Sequence, residues 1–90
     1  ITQVEATLEG ALSRFSNRIT RVEVHLSDEN GSQKSGNNDK RCILEARLTG
    51  MKPIKVSADG SSHEQALDVA ASNLEKLLGR TLDRLDNPKG

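Results

Sequence analysis

Apolar positions recur along this chain in two periods, and each change of period marks an element. Val4, Leu8, Ala11, Leu12 and Phe15 follow helical spacing, which predicts a short amphipathic helix over about 3–16, weakened at Gly10. The period then drops to two. Thr20, Val22, Val24 and Leu26 point one way while Arg21, Glu23 and His25 point the other, as in a strand half buried on a core. "RCILEARLT" repeats the device, with Cys42, Leu44, Ala46 and Leu48 inward and Ile43, Glu45 and Arg47 outward. "GMKP" then marks a turn into a third strand with Ile54, Val56 and Ala58 inside. After "ADGSS" the helical period returns, because Leu67, Ala70, Ala71, Leu74, Leu77, Leu78, Leu82 and Leu85 form one stripe of a long helix over about 62–86. Ser61 with Glu64 three residues on reads as its capping box, and Pro88 past Asn87 as its stop. The order α-β-β-β-α predicts an α+β, two-layer domain: an antiparallel meander with both helices on one face.

Composition narrows what such a domain can be. The chain of 90 residues is one domain's worth, 1–90, and with 33% hydrophobic residues and Phe15 as sole aromatic its core must be built from Leu, Val, Ile and Ala. Stability is expected to be modest. No apolar run approaches the roughly 18 residues that cross a membrane, and no charged-then-apolar leader opens the chain. Cys42 alone cannot form an internal disulfide, which suits a reducing compartment and predicts a cytoplasmic protein. Thirteen basic and thirteen acidic residues cancel, so attraction to nucleic acid must come from local clustering and not from net charge.

Little in the sequence points to catalysis or metal binding. "DENGSQKSGNND", over 28–39, has oxygen-bearing side chains between two acidic ends, like a calcium loop. It falls between two strands instead of two helices, however, has Gln33 where such a loop needs glycine, and ends on Asp39 instead of glutamate. Asp28, Asn30 and Ser32 are therefore read as turn formers in a flexible hairpin loop. Cys42 and His25 fall on opposite sheet faces by parity and cannot act as nucleophile and base together. His63 has Leu67 at the position where a second zinc ligand would stand. No phosphate loop or acid pair is present, so neither an enzyme nor a cofactor is expected.

Charge on the long helix is sorted. At about 100° per residue, Lys76, Arg80 and Arg84 fall on one flank of the apolar stripe and Asp68, Glu75, Asp83 and Asp86 on the other. Read alone, this is equally the solvated face of an ordinary helix.

A resemblance changes that balance. "VEVHLSDENG", followed by a variable loop, "DKRCILEARL", "KPIKVSADG" and an Ala/Leu-rich last helix, resembles the ribosome hibernation promoting factor and ribosome-associated inhibitor family over about 4–85. The resemblance implies a β-α-β-β-β-α fold, whose first strand would precede Ile1; the non-methionine start fits a chain missing part of its native beginning. It also implies binding to the small ribosomal subunit in the channel used by messenger and transfer RNA, silencing translation in starved or stationary cells. Basic side chains from both helices and the strand ends would meet ribosomal RNA, which assigns Arg14, Arg18, Lys40, Arg41, Lys76, Arg80 and Arg84 by region; Asn73 stands where the family commonly has lysine. Topology without the first strand also matches a double-stranded RNA-binding domain. That domain needs lysines at the start of its last helix, where "SSHEQALD" offers Glu64 and Asp68. The expected partner is thus the small ribosomal subunit and no membrane, with a homodimer through an exposed sheet edge if the first strand is missing. The alternative is a protein-interaction module of the same fold that has lost RNA binding.

Overall fold

A computed structural model of the chain describes residues 3–28 and 39–86, with side chains over 4–28 and 39–84. Helix α1 (Gln3–Leu12) runs into a 3-10 turn (Ser13–Phe15); strands β1 (Ile19–Asp28), β2 (Lys40–Leu48) and β3 (Ile54–Gly60) follow, then helix α2 (His63–Asp86). The strands form one antiparallel sheet in the order β1-β2-β3, so the α+β meander read from the sequence is the observed architecture. The calcium-versus-turn question falls largely on residues 29–38, outside the described residues.

Register explains why one sheet face is apolar. Val22 pairs with Ala46, Val24 with Leu44 and Leu26 with Cys42 on one side of β2; Val56 faces Leu44 and Ala58 faces Cys42 on the other. Period-two alternation therefore stacks every inward residue of three strands on one surface. Helix α2 lies on that surface over β2 and β3, and α1 packs chiefly against α2. Leu44, Leu74, Leu78 and Cys42 are completely enclosed where these layers meet. Coverage fades towards β1: Val22 and Val24 are half-buried and Leu26 is 43% exposed, because α2 packs chiefly over β2 and β3.

Two local features depart from the sequence reading. The first helix ends at Leu12 and tightens into the 3-10 turn, with Ser16 N–H donating to Ser13 O at 3.2 Å and Arg18 N–H to Phe15 O at 2.9 Å. Ser13, Ser16 and Asn17 are weak helix formers, and the tighter turn drives Phe15 into the core. The cap of α2 sits one residue later than Ser61 and Glu64. Ser62 Oγ accepts the Gln65 amide at 3.0 Å, while Gln65 Oε1 accepts from Ser61 N–H at 2.6 Å and Ser61 Oγ at 2.8 Å. The cause is Gly60: a Cβ there would lie 2.7 Å from Ala66 N and 3.1 Å from Gln65 Cβ, so the first helical turn rests directly on the end of β3. Glutamine, not the neighbouring glutamate, is thereby brought over the orphan amides. Between β2 and β3 the chain reverses at Gly50, whose φ of 73° lies in the left-handed region.

Candidate nucleic-acid interface

Three cations converge from two elements on the outer side of the helical layer. Arg14 comes from the 3-10 turn, Lys76 and Arg80 from successive turns of α2; with Gly79 and Asp83 they line a concavity of about 430 Å³. A second concavity of about 320 Å³ adjoins it and adds Phe15, Asn17, Arg18 and Leu82 to Arg14, Gly79 and Asp83. Arg14, Lys76 and Arg80 are exposed, and among the described residues none of the three has a carboxylate within ion-pair distance. The site is positive because its cations outnumber its one carboxylate, Asp83. Such a surface attracts a polyanion.

The opposite face of the molecule, the outer surface of the sheet, treats its charges differently. Glu23 sits among Arg21 at 3.3 Å, His25 at 3.6 Å and Arg47 at 3.8 Å, and Arg47 also reaches Glu45 at 3.8 Å. The alternation that turns apolar residues inward turns these outward; register sets Arg21 opposite Arg47 and Glu23 opposite Glu45, so the ion pairs run diagonally between strands, Glu23 to Arg47, and along each strand, Arg21 to Glu23 and Arg47 to Glu45. At the open end of the hairpin, Lys40 Nζ lies 3.2 Å from Asp28 and 3.3 Å from Asp39. The hydrogen bond to Asp28 is the main reason the Lys40 pKa rises above the ordinary lysine value. Arg41 Nε meets Asp59 at 2.9 Å across the β2–β3 pair.

Against known families, residues 2–86 match the family described as sigma 54 modulation protein / S30EA ribosomal protein. The chain belongs to that family. The resemblance drawn from its strand and loop sequences is thus borne out, and with it a ribosome-associated modulation and hibernation role at the level of the family. No curated protein matches the chain.

For an S30EA-family chain, the seven basic residues singled out by sequence divide into groups. Arg14, Lys76 and Arg80 share the helical concavity, and Arg18 lines its neighbour. Arg84 is exposed one turn beyond Arg80. Lys40 and Arg41 lie at the far end of the sheet, each beside a carboxylate. Sequence reasoning assigned Asp83 to a separate acidic flank; it lies inside the basic concavity instead, because three residues past Arg80 is the adjacent ridge of the helix. Phe15 and Gly79, which shape the site, were read only as a core residue and not at all. Their signals are the Arg14–Phe15 adjacency and a glycine within an otherwise strong helix-forming run.

Cys42 and His25 fall on opposite faces, as parity requires: Cys42 is enclosed while His25 is exposed beside Glu23. Burial pushes the Cys42 thiol pKa up, so it remains protonated packing. Among the described residues, no helix is long and apolar enough to cross a membrane.

Proposed function

We propose that this chain binds ribosomal RNA of the small ribosomal subunit through its helical face and inhibits translation by occupying the messenger and transfer RNA path. The observation that carries this reading is the convergence of Arg14, Lys76 and Arg80 around one concavity without ion-pair partners among the described residues. Family membership supplies the ribosome as partner. The mechanism is occupancy with no catalytic step: phosphate contacts fix the position of the domain, and its bulk excludes the competing RNA. Arg18 and Arg84 extend the cationic surface on either side. Lys40 and Arg41 make a secondary contact, which must compete with Asp28, Asp39 and Asp59 and so contributes less. The setting is the cytoplasm of starved or stationary-phase cells. Changing Lys76, Arg80 and Arg84 together to Glu should abolish co-sedimentation with small subunits and leave the circular dichroism spectrum intact, since exposed charges contribute little to stability. Normal co-sedimentation of that variant would make the basic ridge an ordinary solvated face.

A second reading rests on the edge of the sheet. Among the described residues β1 has no strand on its outer side, and beside it a groove of about 490 Å³ is lined by Leu8, Leu12, Ile19 and Val22. An open edge next to apolar surface suits a protein-interaction module or a homodimer. A chain that self-associates in sedimentation equilibrium yet ignores ribosomes at every salt concentration would favour it.

A further inference from the structure

Glycine inside a long helix weakens it relative to alanine, so Gly79, in the second half of α2, raises the question of what offsets that cost. Among the described residues Gly10 and Gly79 lie within helices, and they differ. A Cβ at Gly10 would meet nothing within 4 Å, whereas one at Gly79 would lie 2.9 Å from Arg14 Nη2, 4.0 Å from Arg14 Cζ and 3.9 Å from Phe15 Cζ. The guanidinium of Arg14 thus lies on the bare backbone of α2, in the notch left by the missing side chain. Its other contact is aromatic: Arg14 Cζ stands 4.6 Å from the centroid of the Phe15 ring. Phe15 is itself 7% exposed and anchored in the core. A cation over a fixed ring is held in orientation as well as position.

We propose that Gly79 is a positioning residue that, with Phe15, seats Arg14 against α2 as a preorganised phosphate-binding guanidinium between Lys76 and Arg80. The ligand is a phosphodiester group of an RNA backbone, so the proposal rests on the RNA-binding reading and adds to it how one contact is made strong. An arginine free in solvent loses side-chain entropy on binding; one already laid in a notch loses less, and its planar fork stays aimed at the two oxygens of one phosphate. Lys76 and Arg80, three residues before and one after Gly79, line the same concavity and add positive charge beside the seated guanidinium. Asp83, on the next turn, borders the same notch and limits how many anions it holds.

The test compares Gly79→Ala, Arg14→Ala, the double variant and Lys76→Ala, each followed by thermal unfolding, by NMR of the Arg14 side chain and by affinity for isolated small subunits across a salt series. Gly79→Ala should raise the melting temperature by roughly 4–8 °C, because alanine is the better helix former and only the tip of a flexible side chain must move. The same variant should erase the ring-current shift of the Arg14 side-chain signals. It should weaken small-subunit binding about tenfold and flatten the salt slope by about one. Adding Arg14→Ala should then cost nothing further, since both changes remove one contact. A more stable protein that binds less well is an outcome no purely structural role for Gly79 produces. If Lys76→Ala weakens binding while Gly79→Ala binds as the wild type does, or keeps the Arg14 shift, the seat is wrong and the RNA reading stands. If the wild type shows no salt-dependent binding to small subunits, the RNA reading fails and the seat falls with it as an RNA contact.

Discussion

The two broad faces of this domain both carry cations and surround them differently. On the outer sheet surface Arg21 and Arg47 flank Glu23, and Arg41 meets Asp59. On the helical surface Arg14, Lys76 and Arg80 share a concavity with Asp83 and form no ion pair among the described residues. The difference comes from secondary structure. On the sheet, alternation sets Glu23 beside Arg21 on its own strand and diagonally from Arg47, and register sets Arg41 directly across from Asp59, so these cations meet carboxylates even though Arg21 faces Arg47 and Glu23 faces Glu45 in the ladder. A helix spreads its charges every three or four residues along ridges, and a second element approaching from the side can add a like charge without adding a partner. A formal net charge of zero therefore hides a locally cationic concavity, offset by acidic side chains elsewhere, among them Glu64, Asp68 and Glu75 on α2 itself. The concavity on the helical side is the surface we propose meets RNA.

The largest perturbation removes the scaffold common to both faces. Leu74 is wholly enclosed between α2 and the sheet, and Leu74→Ala should cost about 2–5 kcal/mol, enough to unfold most of so small a domain. Urea denaturation measures it, and a loss below about 1 kcal/mol would mean the layers are not packed as described. Next, Asp83→Asn sharpens the contrast by making the concavity wholly cationic; affinity for small subunits should rise about two- to fivefold at low salt, and a fall would place Asp83 in a supporting role for Arg14 or Arg80. Glu23→Gln tests the sheet face, since it removes the carboxylate beside Arg21 and one of the two beside Arg47. Stability should fall by less than about 1 kcal/mol, because the pairs are largely solvated, while weak binding to unrelated RNA should increase. A larger loss would show that the ionic ladder holds the strands in register.

The smallest effect concerns Cys42. Burial raises its pKa in the folded chain, so the unfolded chain ionises first; stability is unaffected by this thiol at neutral pH and declines as pH rises above about 8.5. The decline should be smaller in Cys42→Ala, measured as urea midpoints at about pH 7 and 9.5. Equal declines would mean that the thiol is accessible.

Most of the fold was legible because two periods, 3.6 and two, are hard to confuse over segments this long. Leu67, Leu74, Leu78 and Leu82 announce α2, and Cys42, Leu44, Ala46 and Leu48 announce a central strand. Boundaries were less so. The cap moved from Ser61 to Ser62 because Gly60 lets the helix come down on β3, a tertiary contact that no local pattern encodes. The site was legible as a list of basic residues and not as a site. Which of them converge depends on where the 3-10 turn crosses α2, and that crossing is set by Phe15 entering the core and by the absence of a side chain at Gly79. Register likewise decided that Lys40 and Arg41 face carboxylates, since Asp28 and Asp59 become neighbours only when the strands pair.

The central claim is that the helical face, not the sheet face, meets ribosomal RNA. Two double variants of equal charge change put it to the test: Lys76→Gln with Arg80→Gln, and Arg21→Gln with Arg47→Gln, each measured for equilibrium binding to isolated small subunits between about 50 and 200 mM salt. The helical pair should weaken binding about a hundredfold and flatten the dependence of log affinity on log salt by about two, while the sheet pair leaves both affinity and slope as in the wild type. Equal losses from the two pairs, or a larger loss from the sheet pair, would contradict the account.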